Sequence, residues 1–398
     1  MKRLVSSCLL LAFGFGLGLL SSEILVRALF PVSDFFWQWD PVIGMKLVPG
    51  KHGRSVKQGV YDVRVDVNSA GFRDREHAIK KPSGVYRVVL LGDSQVEALQ
   101  VPFEQTITSV LEDRLEKERI PSEVINFGVS GAGTAREYLA LREYGLKYKP
   151  DLVLLFFVGN DFGDNTRQLK GLSYIPYPKT SEDGSLVLDG TEHPTFNAFA
   201  DQTSRLSPLT SVLRDHSKGY HLIRDTIDAL PPLGDIWSGL RPKSAILAAS
   251  DQSVGSDFGL YEIYRTTPKP AWAKGWRVTE ELLLAVRNLA KESGVPFGVV
   301  VVPAAWEVYP QRWAEVLSQV PAMREAPLDV DLPNRNLVRF LNEHDVHTID
   351  LLNDFRARAT KDPFLYLRGD GHWTAAGHRL AADLVNEQIA KTFRSESN

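Results

Sequence analysis

Val88-Val89-Leu90-Leu91 runs directly into Gly92-Asp93-Ser94. A short apolar run closed by a glycine reads as a buried strand, and the carboxyl end of such a strand is where open α/β sheets hold their ligands. A serine hydroxyl at that point stands where a nucleophile is placed. The same residues also fit a plain strand-to-helix turn with Ser94 as the helix cap, so this stretch alone leaves both readings open.

Strand-like and helix-like segments alternate from Tyr86 onward. Ile107, Val110, Leu111 and Leu115 have helical spacing. Val124-Ile125-Asn126 leads through a glycine-rich turn to a helix carrying Tyr138, Leu139, Leu141 and Leu146, and Leu152 to Val158 is a third buried strand. The pattern resumes with a helix over Leu282, Leu283, Val286 and Leu289, a strand from Phe297 to Val302 and a helix around Leu337 to Leu341. A strand from Val346 to Leu351 and a helix from Ala375 to Ile389 complete it. Repeated strand-helix-strand units predict a parallel sheet covered by helices on both faces. Between them, from Asp164 to about Thr266, lies a stretch too long for a plain loop, which predicts an inserted lid or subdomain after the third strand. Its aromatic residues, Tyr174, Tyr177, Phe196, Phe199, Tyr220, Trp237, Tyr261 and Tyr264, either form the insertion's own core, the simpler account, or line a cleft.

Ahead of the sheet, Val63, Val65 and Val67 alternate with Arg64 and Asp66, a half-buried strand ended by Asn68-Ser69-Ala70-Gly71. Arg73, just beyond, either reaches toward a site or, the simpler account, sits in a surface salt bridge. At the start of the chain Lys2-Arg3 precede an apolar run from Leu4 to about Leu25, interrupted only by small polar residues and Glu23. That length approaches the ~20 residues that span a bilayer. Gly16-Leu17-Gly18 lies inside the run and Ser21-Ser22-Glu23-Ile24 is a poor cleavage site, which favours an uncleaved anchor with the remainder outside the cytoplasm over a cleaved signal.

The 398 residues are 43% hydrophobic and 24% charged, the composition of a globular protein, and the net charge of −3 offers no basic footprint for nucleic acid. Cys8 is the only cysteine, so no intrachain disulfide or cysteine-rich metal site is possible. His344, His347 and Asp350 lack a full metal-ligand set.

Ser94, Gly131 and Asn160 each fall just past a strand of one sheet, and Asp370-Gly371-His372 follows the last one. A serine hydroxyl needs a base to take its proton, and an imidazole held by a carboxylate is the usual one. The backbone N–H groups of Ser94 and Gly131 and the side-chain amide of Asn160 are placed to supply the donors that a tetrahedral oxyanion requires. Asp93 and Asp161 are expected to stabilise their own turns, Trp373 to pack under the histidine loop and His378 to lie on the surface of the last helix, while Arg136 either binds an anionic substrate or, the simpler account, is solvated.

Gly92-Asp93-Ser94, Asn126-Phe127-Gly128-Val129-Ser130-Gly131, Gly159-Asn160-Asp161 and Asp370-Gly371-His372-Trp373, in that order, resemble the four sequence blocks of the SGNH/GDSL hydrolase superfamily. The resemblance runs from about Tyr86 to Thr392 outside the insertion. It implies a flavodoxin-like three-layer α/β/α fold with a five-stranded parallel sheet, and ester hydrolysis or acyl transfer with no cofactor or metal. Ser94 would be the nucleophile, His372 the base, Asp370 its orienting acid, and Ser94, Gly131 and Asn160 the oxyanion donors. Many members carry the acid three residues before the histidine, where this chain has Gly369. The Asp-x-His-Trp form is similar to that of the alginate O-acetyltransferase group and related membrane-anchored proteins.

The expected organisation is a membrane helix (1–30), a lead-in segment with an edge strand (31–84), an SGNH hydrolase-like domain in two pieces (85–165 and 267–392), the insertion (166–266) and a tail (393–398). The expected function is a membrane-anchored, extracytoplasmic bacterial serine esterase acting on O-acyl, above all acetyl, esters. The alternatives are an O-acyltransferase acting on a cell-surface polysaccharide and a non-catalytic glycan-binding assembly protein.

Overall fold

The computed structural model describes residues 2–172, 175–180, 186–187, 213, 217–228, 259–320 and 323–393. Helix α1 (Lys2–Leu29) opens the chain. Within it, Leu9–Leu29 is long and apolar enough to cross a membrane, by length and composition. Two antiparallel hairpins follow: β1 (Trp37–Asp40) with β2 (Gly44–Leu47), and β3 (His52–Lys57) with β4 (Tyr61–Asp66). Val63, Val65 and Val67 turn inward against Phe36, Leu47 and Leu99, as their alternation predicts.

The central sheet holds five parallel strands, β5 (Tyr86–Gly92), β6 (Ser122–Gly128), β7 (Leu152–Val158), β10 (Phe297–Val302) and β11 (His347–Asp350), in the order β11-β10-β7-β5-β6. The two-residue strands β8 (Lys179–Thr180) and β9 (Leu186–Val187) pair apart from it. Numbered along the sheet's own chain order this is 2-1-3-4-5, the flavodoxin-like arrangement, in which the direction of winding reverses around β5 and opens a crevice at the carboxyl ends of β5 and β7.

The strands are continuous apolar runs because both faces are covered. Val89, Leu91, Val153, Leu155, Val299 and Val301 pack beneath α4 (Thr134–Glu143), α8 (Pro270–Glu292) and α11 (Leu332–Glu343), numbered in chain order. Val88, Leu90, Leu154, Phe156 and Val300 face α3 (Ile107–Lys117), α12 (Leu352–Ala359) and α13 (Ala375–Gln388). Successive residues of one strand therefore serve opposite layers. Leu90 and Leu91 are both fully buried, each removal from water contributing about 1.5–3 kcal/mol.

Three expectations about charged or polar groups differ from the structure. Arg73 is 1% exposed, its guanidinium donating to the carbonyls of Glu97 and Val101. Arg136 is buried and donates to the carbonyls of Ile43, Met45 and Gly131, at 2.8, 2.8 and 2.9 Å. His378 faces inward from α13, where its Nδ1 accepts the Ile107 N–H at 3.2 Å. In each case carbonyls or an amide from a distant segment replace water, which makes burial of the polar group tolerable.

Of the aromatic residues named between Asp164 and Thr266, Tyr174, Phe196, Phe199 and Trp237 lie outside the described residues. Tyr177 packs with Met45, Leu172 and Ile175, while Tyr261 and Tyr264 meet Trp306 and Trp313 edge-on. Tyr220 meets His221 in helix α7 (Lys218–Asp228). At the start of α7, Ser217 Oγ and the N–H groups of Lys218 and Gly219 donate to the Glu23 carboxylate of α1.

Candidate active site

The end of β5 is the strand-to-helix turn read from Gly92-Asp93-Ser94, but its cap is not Ser94. A one-turn helix, α2 (Ser94–Glu97), begins there, and its cap is Asp93, whose Oδ1 accepts the Gln95 N–H at 2.9 Å. With Asp93 capping, the Ser94 hydroxyl is left for other work. Gly128 at the end of β6 permits this turn to sit close: a Cβ there would come within 2.4 Å of the Glu97 nitrogen. The Asn126 side chain ties the same corner by donating to the Val96 carbonyl at 2.8 Å.

The Ser94 Oγ lies 2.8 Å from His372 Nε2, and His372 Nδ1 meets Asp370 Oδ1. A carboxylate at Nδ1 places the ring proton there and leaves Nε2 as the acceptor of the serine proton. An acid only two residues before the histidine reaches it because the loop is bent by two left-handed glycines, Gly369 at φ +69° and Gly371 at φ +86°. Asp370 Oδ2 accepts from Lys57 Nζ at 2.8 Å, and the same ammonium donates to the Gly369 carbonyl at 2.6 Å. Burial alone would raise the Asp370 carboxyl, but its contacts with His372 and Lys57 outweigh burial and hold it at about 2.

Gln95 joins the two loops. Its Oε1 accepts the Trp373 N–H at 3.1 Å and its Nε2 donates to the Gly371 carbonyl at 3.4 Å. Trp373 is fully buried under the histidine loop, as expected, against Phe355 and the His378 ring.

Just past β6, Gly131 takes the left-handed conformation at φ +64°, and its carbonyl is held by Arg136. Asn160 follows β7 with its side-chain nitrogen 3.3 Å from Asp93 Oδ2 and 3.1 Å from Asp164 Oδ2. Asp164 is in turn paired with Lys170 at 2.6 Å. Asp161 accepts the Val158 N–H at 3.1 Å, the local turn role predicted for it. Burial pushes up the carboxyls of Asp93, Glu137, Asp161 and Asp164, and repulsion within the group pushes Glu137 and Asp161 further. Ser130 donates to Glu97, whose carboxyl burial raises to about 7.

All five residues singled out in the sequence thus lie at one edge of the sheet, Ser94 as the first residue of α2 and Gly131, Asn160, Asp370 and His372 on loops. Lys57, Gln95 and Asp164 are given no place at the site by the sequence reading. Lys57 stands 313 positions before Asp370, and nothing local marks the pairing. His344, His347 and Asp350 have separate partners: His344 Nδ1 donates to the Phe340 carbonyl, His347 stacks edge-on to Phe393, and Asp350 Oδ1 accepts from Asn334 and Leu352. Among the described residues no group of three or more His, Cys, Asp or Glu side chains is placed to hold a metal ion.

Two family models match the chain. Residues 88–190 match "GDSL-like Lipase/Acylhydrolase", and residues 254–398 match "SGNH hydrolase-like domain, acetyltransferase AlgX". No curated protein matches. Among solved structures the chain is similar to an acetyl xylan esterase at 15% identity and a TM-score of 0.39, over 76% of this chain and 99% of that one. It is also similar to a GDSL-like lipase from Bacteroides thetaiotaomicron at 12% identity and 0.37, over 79% and 92%. A lipase/acylhydrolase from Enterococcus faecalis follows at 15% and 0.35, over 77% and 96%. The first model carries the Ser94 block and the second the Asp370–His372 block, so over these two stretches the chain carries a domain of the SGNH/GDSL hydrolase type, that of ester-acting enzymes.

Proposed function

We propose that this protein is a serine esterase that cleaves O-acyl esters, acetyl esters above all, through an acyl-enzyme on Ser94. The observation that carries the reading is the unbroken line from Ser94 Oγ through both nitrogens of His372 to Asp370. In the first half-reaction Nε2 takes the hydroxyl proton as Oγ attacks the ester carbonyl, and the imidazolium returns that proton to the departing alcohol. Water, activated by the same nitrogen, then releases the acid and regenerates Ser94. The negative oxygen of each tetrahedral intermediate is received by the backbone N–H groups of Ser94 and Gly131 and by the Asn160 amide. Both neighbours of that amide are carboxyl groups, so the oxyanion takes over the N–H now facing Asp93 at 3.3 Å, the longer of the two contacts.

A second reading is an O-acyltransferase that passes the acyl group to a polysaccharide hydroxyl in place of water. It is favoured by the acetyltransferase-type model, whose match includes Asp370 and His372. In either case the apolar segment Leu9–Leu29, preceded by Lys2-Arg3, supports a catalytic domain held outside the cytoplasm by an uncleaved membrane helix. A non-catalytic glycan-binding role is the reading to which an inert Ser94 would point.

Labelling with a fluorophosphonate probe and hydrolysis of a chromogenic acetyl ester test the proposal together. Ser94→Ala should abolish the adduct and lower turnover by up to ~10⁶. Full activity in that variant overturns the acyl-enzyme reading. Free acetate against acetate incorporated into an added oligosaccharide separates esterase from transferase.

A further inference from the structure

We infer that Lys57, on the hairpin ahead of the sheet, is a positioning residue of the active site, holding the Asp370 carboxylate and the Gly369 carbonyl so that His372 stays seated on Ser94. The inference rests on the acyl-enzyme reading above. It extends the site to residues 52–66, which neither family model covers.

An ion pair at a protein surface contributes little by itself, and the Lys57 side chain is 43% exposed. Three features set this pair apart. The Asp370 side chain is only 9% exposed, so its second oxygen has little access to water as an alternative partner. The ammonium has two acceptors on adjacent residues, Gly369 O and Asp370 Oδ2, and therefore pins the backbone of the left-handed turn together with the carboxylate it carries. Lys57 is also delivered by a braced element. It is the last residue of β3, paired in register with Tyr61, while the preceding residue, Val56, is fixed through both its N–H and its carbonyl by Ser33 Oγ at 2.7 and 2.8 Å.

The division of labour between the two carboxylate oxygens follows. Oδ1 serves His372 and Oδ2 serves Lys57, so rotation of the carboxylate away from the imidazole costs an ionic contact. The charged and titratable groups facing Asp370 are His372, Lys57 and Tyr61, whose hydroxyl burial and the Asp370 charge keep protonated. Removing Lys57 leaves the Asp370 charge less compensated, which favours the imidazolium form of His372. The base then becomes free only at higher pH.

The test uses the full chain with Lys57→Met, Lys57→Gln and Lys57→Arg, measuring kcat and KM against pH on a chromogenic acetyl ester. Both neutral variants should lose roughly tenfold in kcat, part of the ~10² that a 1 Å misplacement costs, with KM within about twofold of wild type. Their acidic limb should move up by roughly half a pH unit, and Lys57→Arg should restore both kcat and the limb. Wild-type kcat and pH profile in the neutral variants overturn the inference, as does an arginine variant no better than methionine. An NMR titration of the His372 imidazole in the Ser94→Ala chain, with and without Lys57→Met, reads the Lys57 contact whatever Ser94 does. An upward shift supports the inference and an unmoved midpoint overturns it, while retained activity in Ser94→Ala overturns only the acyl-enzyme reading.

Discussion

Replacing Gly371 with alanine isolates what the left-handed turn does for catalysis. At φ +86° an L-residue is strained, yet a Cβ built there meets no atom within 4 Å, so collision plays no part. The conformational cost is about 1–2 kcal/mol. If the loop relaxes to escape it, the share of molecules with His372 seated on Ser94 falls by roughly 5- to 30-fold. Gly84, at φ +75° with equally open surroundings and ahead of β5, provides the control, because alanine there carries similar strain far from the serine. Initial rates on a chromogenic acetyl ester and urea unfolding should then separate the two variants. Gly84→Ala should lose stability and keep kcat/KM, whereas Gly371→Ala should lose kcat/KM. A Gly371→Ala enzyme within twofold of wild type, or equal losses of activity in both variants, would refute the argument that the turn places the imidazole.

Two further outcomes are expected. Burial, with the nearby positive charges of Arg73 and His372, holds the His378 imidazole down at about 3, below the ordinary 6.5. The unfolded chain therefore takes up a proton that the folded chain refuses, and stability falls as pH drops from 6.5 toward 3, by at most about 1.4 kcal/mol per pH unit. His378→Asn keeps an acceptor for the Ile107 N–H without titrating, so its urea midpoint should fall less between pH 6.5 and 5 than that of wild type. Equal slopes would show that His378 is not the group responsible. Asn160→Ala should lower kcat by ~10² to 10³ with little change in KM, the cost of one oxyanion donor; an unchanged kcat would remove Asn160 from that role.

The elements of the sheet were legible because their physical signal is local. Leu90 and Leu91 sit side by side on opposite faces, and only a strand covered on both sides tolerates such a run. The carboxyl ends of β5, β6 and β7 then bring Ser94, Gly131 and Asn160 to one edge by topology alone, whereas His372 arrives on the loop between α12 and α13. Charged residues were misread where their partners are remote. Arg136 reads as a surface charge on a helix, and only the fold supplies the carbonyls of Ile43 and Met45, more than ninety positions away, that let it be buried.

The sequence by itself determined the alternation of elements, the strand-end positions of Ser94, Gly131 and Asn160 and the apolar first helix, since each depends on neighbours within one element or one turn. Only the tertiary structure decided that Asp93 rather than Ser94 caps α2, that an acid two residues before the histidine reaches its ring through two left-handed glycines, and that a hairpin outside the sheet brings Lys57 to that acid. These depend on side-chain direction and on contacts between segments hundreds of residues apart, which spacing along a chain does not encode.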